Sequence, residues 1–202
     1  YSEDGKIWSG LGKKILKYSG NGIAVSDKLV PTQVPTQAPT KAPEVTWVAV
    51  GNGDNTIAHS KDGTNWTVLK ENIFSVGVGV AYSPQQNLWI AVGYGDNSIA
   101  YSENGKDWIG LGKDILKSGY GVAYSSQQNR WVAVGEGNNT IAHSENGKDW
   151  VGLGKDIFEY GKEIAYSSQQ KLWVAVGEGN NTIAYSEDGK IWSGLGKKIL
   201  KY

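Results

Sequence analysis

Three observations predict an all-β fold, a β-propeller of four-stranded antiparallel blades. First, Trp47, Trp89, Trp131 and Trp173 recur at a fixed step of 42 residues, and each opens a near-copy of WVAVGEGNNTIAYS. A period of about 40–45 residues holding several short strands is the mark of propeller blades. Second, each period carries an Asn-Gly or Asp-Gly pair between alternating runs, a strong hairpin signal because both turn residues take positive φ. Third, the runs between turns are rich in Val, Ile, Trp and Tyr, which suit a pleated surface. No segment shows a helical period.

The elements follow in order within one repeat. Strand A is the alternating run before SPQQ or SSQQ, as from Val78 to Tyr82. The Gln-containing turn leads into strand B, Trp89 to Val92, and a Gly-x-Gly turn leads into strand C, Ser98 to Ser102. The Asn-Gly or Asp-Gly hairpin then opens strand D, from Trp108 to Leu111, and a Lys-rich stretch such as GKDILKSG crosses to the next strand A.

A longer period overlies the short one. Residues 1–18 are identical to residues 185–202, an offset of 184, which reads as a long protein of 184-residue units with four blades each. On this reading residues 1–30 end a preceding propeller unit, residues 31–46 are a linker and residues 47–202 form a four-blade unit. Pro31, Pro35, Pro39 and Pro43 recur every four residues with Thr beside most of them. Such a segment favours extended polyproline conformation and buries no core. Residues 22–26 are then expected to close the preceding ring as its strand A. A neighbouring unit would supply the missing strand of this one, joining copies head to tail by strand donation.

The hairpins spell a motif: SKDGTNW at 60–66, SENGKDW at 102–108 and 144–150, and SEDGKIW at 186–192 and 2–8. It resembles the Asp-box, or BNR repeat, of sialidase-type propellers, with a loop one residue shorter and Asn in place of Asp at two copies. The resemblance covers about seven residues in each 42. It implies a structural hairpin staple at Ser60, Asp62, Gly63 and Trp66; Ser102, Asn104, Gly105 and Trp108; Ser144, Asn146, Gly147 and Trp150; and Ser186, Asp188, Gly189 and Trp192. Ser and Asp side chains can bond the turn backbone, and the Trp can pack between sheets. Sialidase chemistry, which the resemblance raises, needs a cluster of three Arg, and this chain has only Arg130. A Lys does not reproduce the bidentate fork of Arg.

Composition narrows function further. Twenty basic residues balance twenty acidic ones, which argues against nucleic acid as a partner. No apolar run reaches the ~20 residues of a membrane-spanning helix. The chain has no Cys, so no disulfide or zinc–thiolate site, and no cofactor or metal is expected. His59 and His143 fall at the repeat position that Tyr101 and Tyr185 occupy, which reads as packing and not as catalysis. The B–C loops supply the candidate ligand-binding residues: Asp54 and Asn55; Tyr94, Asp96 and Asn97; Glu136 and Asn138; Glu178 and Asn180. Carboxylates, amides and a nearby aromatic could bond sugar hydroxyls, and repetition would add avidity. One or two carboxylates per loop fall short of a calcium site. Sequons at Asn65, Asn138 and Asn180, with the Pro/Thr linker, point to an extracellular or cell-surface setting. Two functional readings result. One is a non-catalytic structural repeat whose partners are copies of itself, forming a fibre or coat. The other is a multivalent, lectin-like glycan binder.

Overall fold

The computed structural model describes residues 19–25, 47–197 and 199–200. All regular elements among them are strands, and they form successive four-stranded antiparallel meanders. The first holds β1 (Ser19–Val25), β2 (Trp47–Asn52), β3 (Ile57–Ser60) and β4 (Trp66–Val68). The second holds β5 (Val76–Ser83), β6 (Leu88–Tyr94), β7 (Ile99–Ser102) and β8 (Ile109–Gly110). The third holds β9 (Ser118–Ser125), β10 (Arg130–Glu136), β11 (Ile141–Ser144) and β12 (Val151–Gly152). The fourth holds β13 (Tyr160–Ser167), β14 (Leu172–Glu178), β15 (Ile183–Ser186) and β16 (Ser193–Gly194). The first two meanders join into one sheet through a single pairing, Asn52 with Val76.

Register repeats with the sequence. Trp47, Trp89, Trp131 and Trp173 each oppose the Ser that opens a hairpin motif, Ser60, Ser102, Ser144 and Ser186. Each central strand turns a Trp–Ala face one way and a Val/Ile face the other, as period-two geometry requires. Those faces interlock between sheets. Leu88, Ile90, Val92 and Ile99 of the second sheet form one core with Trp131, Ala133, Ala142 and Trp150 of the third. Val48, Val50 and Ile57 meet Trp89 and Trp108 in the same way, and Val132, Val134 and Ile141 meet Trp173. The A strands advance side by side, β1 against β5, β5 against β9 and β9 against β13. The result is a propeller-like arc of stacked sheets.

One expectation is corrected. Residues 22–25, assigned above to a preceding ring, pair within their own chain. β1 runs antiparallel to β2, with Gly22 opposite Val50 and Val25 opposite Trp47. The reason is local: residues 19–25 carry the same strand-A pattern as β5 and β9, down to the bulge between their glycines. Tethering to β2 also gives this segment a high effective concentration at that edge. Donation of this strand out of the ring is therefore not how residues 22–25 are used, and the boundary at residue 30 lies outside the described residues. Residues 1–18 and the linker at 31–46 lie outside the described residues. Among the described residues the arc is open, because the Val/Ile face of the fourth sheet has no sheet against it. Val174 is 37% exposed, whereas Val48, Ile90 and Val132 at the same repeat position are 0%.

Candidate functional site: the bulged inner strands and the loops above them

Most of the polar residues singled out by sequence hold the fold. In the third hairpin motif the Ser144 hydroxyl accepts from the Gly147 N–H at 2.8 Å. The Asn146 carbonyl oxygen accepts from the Lys148 and Asp149 N–H groups at 2.9 and 2.8 Å. The Trp150 indole N–H donates to the Gly147 carbonyl at 3.0 Å. The first, second and fourth motifs repeat this net around Asp62, Asn104 and Asp188. The Asn-for-Asp exchange is explained by a partner exchange. Asn146 donates to Asp149 and Asn104 to Asp107, whereas Asp62 accepts from Asn65, all at 2.7 Å. The backbone N–H of Asn65, then its side-chain amide, hold the Asp62 carboxyl far below the usual range.

The hairpins are also where sheets join. Gly147 has φ +71°, and a Cβ there would fall 2.5 Å from Leu88 Cδ2 of the preceding sheet. Gln86 grips the next sheet at two points. Its amide donates to the Glu145 carbonyl at 2.6 Å, and its oxygen accepts the Trp131 indole N–H at 2.8 Å. Gln128 does the same to Glu187 and Trp173. Lys148 reaches back to Glu103 at 2.7 Å and Lys190 to Glu145 at 3.2 Å. Hydrogen bonds from these lysines, and then their charge, hold both carboxyls below the ordinary range. Sequence reasoning missed the role of the glutamines. The signal was present in the QQ that recurs at 85–86, 127–128 and 169–170.

Of the loop candidates, Asn97 is structural. Its amide donates to the Ile73 carbonyl and its oxygen accepts from the Gly112 N–H, both at 2.9 Å. Asn139 and Asn181 repeat the arrangement. Both ends of the Asn97 amide, a ligand-binding candidate of the sequence, are thus engaged within the fold. Asp54, Asp96, Asn138 and Asn180 are exposed at separate loop tips, and Asn55 is half-buried. The loops therefore do not converge on one site as a set.

What does converge is a position not singled out by sequence. The strand-A pairing slips by one residue in every sheet, leaving Asn21, Val78, Tyr120 and Lys162 as bulged residues between Gly20 and Gly22, Gly77 and Gly79, Gly119 and Gly121, and Gly161 and Glu163. A bulge re-aims a side chain, and bulges gather next to functional sites. These positions also differ in chemistry between repeats: Asn, Val, Tyr and Lys in one column. Around them sit three of the loop candidates, Tyr94, Glu136 and Glu178. The Lys162 ammonium lies 5.5 Å from the Tyr120 ring centre and 5.2 Å from that of Tyr160, and pairs with Glu178 at 3.2 Å. Glu136 accepts from the Ser118 hydroxyl at 3.0 Å. Burial, then the Glu136 carboxylate, push the Tyr120 hydroxyl above its ordinary range, with a smaller push from Tyr94. Beside this cluster an open groove of about 550 Å³ is lined by Lys117, Glu136, Asp156, Glu159, Tyr160 and Asn180 among others. Aromatic faces flanked by paired charges and amides suit a polar ligand that carries rings. Among the described residues no group of three or more His, Asp or Glu is placed to hold a metal ion.

No family model matches the sequence, and no curated protein matches it. Solved structures do. The chain is similar to the structure of a nidogen–laminin complex, with TM-score 0.66 and 12% identity over 91% of this chain and 66% of that one. It is similar to a catalytically inactive virginiamycin B lyase from Staphylococcus aureus with quinupristin, with TM-score 0.65 and 13% identity over 90% of this chain and 56% of that one. It is also similar to a GH74 enzyme from Niastella koreensis, with TM-score 0.57 and 16% identity over 88% of this chain and 24% of that one. The chain thus spans at most about two thirds of each of these neighbours. At such identities the likeness is one of fold, an all-β, propeller-like architecture.

Proposed function

We propose that the chain is a non-catalytic structural repeat of extracellular or cell-surface setting, whose role is to present and join near-identical blades. The observation that carries this reading is the use of the repeated polar groups. The hairpin Ser and Asn or Asp, the Asn97 series, and Gln86 with Gln128 are engaged in turns or sheet joints. None of these recurring groups is left as a nucleophile poised beside a base, the arrangement covalent catalysis needs. The solved neighbours include two enzymes, so catalysis is the reading to test against. Purified chain is incubated with a sialoside, a polysaccharide panel and quinupristin, and products are followed by mass spectrometry. No turnover is expected. Turnover that disappears on Tyr120→Phe or Glu136→Gln overturns the proposal.

A second reading, glycan binding, is favoured by the bulged column. Tyr120, Tyr160 and Lys162 offer ring faces and a cation, gathered beside the Glu136 and Glu178 carboxylates. A glycan array separates the two readings. Binding lost in Tyr120→Ala with the fold intact supports the second.

A further inference from the structure

The fourth sheet ends the arc with a face that the other three sheets bury. Its Val174, Leu195, Ile199 and Leu200 are exposed, at 37%, 44%, 58% and 52%. Their repeat counterparts show what the face is built for. Ile90 and Val132 stand at the position of Val174, and Leu116 and Phe158 at that of Leu200, and all four are at most 1% exposed. The polar clasp is waiting as well. Gln86 and Gln128 hold the following sheet, but the side chain of Gln170, their counterpart, has no partner among the described residues. At the other end of the arc lies the opposite half of the same joint. Trp47, Ala49 and Trp66 keep part of their surface exposed, whereas Trp89, Trp131 and Trp173 are at most 2% exposed. The indole N–H groups of Trp131 and Trp173 bond a glutamine, and that of Trp47 has no partner among the described residues.

We infer that the Val/Ile face of the fourth sheet docks onto the Trp face of the first sheet of a second copy of this chain. The contact continues, between molecules, a joint that the molecule already makes three times within itself. It would seat Val174 and Leu195 against Trp47 and Trp66, and hand the Trp47 indole to Gln170. The two faces differ, so the contact is heterologous: it closes a ring if the rotation allows and otherwise grows a filament. This inference rests on the structural-repeat reading and names its partner and surface.

The test uses the whole chain. Sedimentation velocity at rising concentration is expected to show self-association. Val174→Glu and Leu195→Lys each weaken it about tenfold or more, since a charge is then buried in an apolar joint. Ile109→Lys, on the outer strand of an enclosed sheet and 53% exposed, leaves it unchanged. The chain has no cysteine, which permits a second, site-directed arm. Glu103 and Lys148 meet across the second joint at 2.7 Å, and their counterparts at the two ends are Glu187 and Thr64. Thr64→Cys combined with Glu187→Cys is expected to give a covalent ladder with a short bismaleimide, and neither single variant does. A ladder ending at two chains means a closed pair and an open ladder a filament, and both support the contact. A chain that stays monomeric up to millimolar concentration and yields no ladder overturns it. So does linkage by Glu187→Cys alone, which would mean a like-to-like contact. None of these results depends on turnover, so failure here leaves the non-catalytic reading standing, and turnover would leave the contact standing.

Discussion

The third and fourth sheets are almost one sequence and yet two environments. WVAVGEGNNTIA occurs in both, from Trp131 and from Trp173. In the third sheet both faces are enclosed, and Trp131, Val132, Ala133 and Val134 are all 0% exposed. In the fourth only the Trp face is enclosed: Trp173 and Ala175 are 0% exposed while Val174 is 37%. Burial in such a molecule is therefore set by the neighbouring sheet and not by the strand itself. Each sheet supplies half of two joints, as repeat architectures do. Identical substitutions should consequently have unequal effects at the middle and the ends of the arc.

The largest inequality is expected at the tryptophans. Trp131→Ala removes a fully buried ring from an enclosed joint and should destabilise by ~3–5 kcal/mol in urea denaturation. Trp47→Ala, on the part-exposed first sheet, should cost less than half of that. Equal losses would mean that the first sheet is covered as fully as the third. Next come the hairpin glycines. Gly147→Ala pays the left-handed backbone penalty of about 1 kcal/mol and adds a clash with Leu88 and Ile90, for about 2–4 kcal/mol together. Gly63→Ala has a similar φ, +76°, but its Cβ would meet only its own Trp47 at 3.4 Å. Its cost should be the backbone part alone, and the difference between the two variants measures the joint.

Much of this was legible in sequence, and the reasons are specific. The step from Trp47 to Trp173 pointed to an all-β fold of four-stranded antiparallel sheets, and the Asn-Gly and Asp-Gly pairs pointed to a hairpin in each. The hairpin motif drew attention to Ser144, Asn146 and Trp150, whose bonds are local to seven residues. What sequence did not reveal was non-local. Asn97 looked like a loop ligand because its partners, Ile73 and Gly112, are 24 and 15 residues away. Gln86 looked like a turn residue because it acts across a joint, on residues 45 and 59 positions on. The bulge that singles out Tyr120 and Lys162 is a slip in pairing, which no residue type announces. The divergence of that column among otherwise near-identical repeats was the available signal. Assigning residues 22–26 to another ring assumed closure by four blades, and the open arc removes that premise.

A smaller effect separates the fourth sheet from the second and third at the A–B turn. Asn87 and Asn129 take left-handed φ of 48°, and Lys171 takes 53° at the same place. Asn tolerates this conformation better than Lys. The Asn carbonyl also accepts the Tyr82 or Tyr124 hydroxyl, at 2.9 and 2.8 Å, whereas Tyr166 turns to Gln127. Lys171→Asn should stabilise the chain by about 0.5–1 kcal/mol. An unchanged denaturation midpoint would show that the fourth sheet unfolds apart from the others.

The smallest expected effect compares the second and third sheets at one ring. Tyr101 and His143 occupy the same repeat position, and Lys148 sits 5.1 Å from the Tyr101 ring centre. His143 has no such option when protonated. Its Nδ1 is buried without a hydrogen-bond partner. Burial first, and then the charges of Arg130 and Lys190, pull its pKa below the usual 6.5, against the smaller opposing pull of Glu145 and Asp188. The folded chain thus holds a neutral imidazole that the unfolded chain protonates more readily. Stability from this group is fully present above pH 6.5 and is lost as pH falls through the lowered folded value. The carboxylates with depressed pKa, Glu103, Glu145 and Asp188, weaken the fold only at lower pH, below their ordinary unfolded values near 4. The interval from pH 7 to 5.5 therefore isolates the histidines, and His59 is common to both proteins compared. His143→Tyr, which installs the side chain found in the second and fourth sheets, should flatten the decline in urea midpoint over that interval while leaving the value at pH 8 nearly unchanged. A decline as steep in the variant as in the parent would place the titrating group elsewhere and leave the two sheets equivalent at this position.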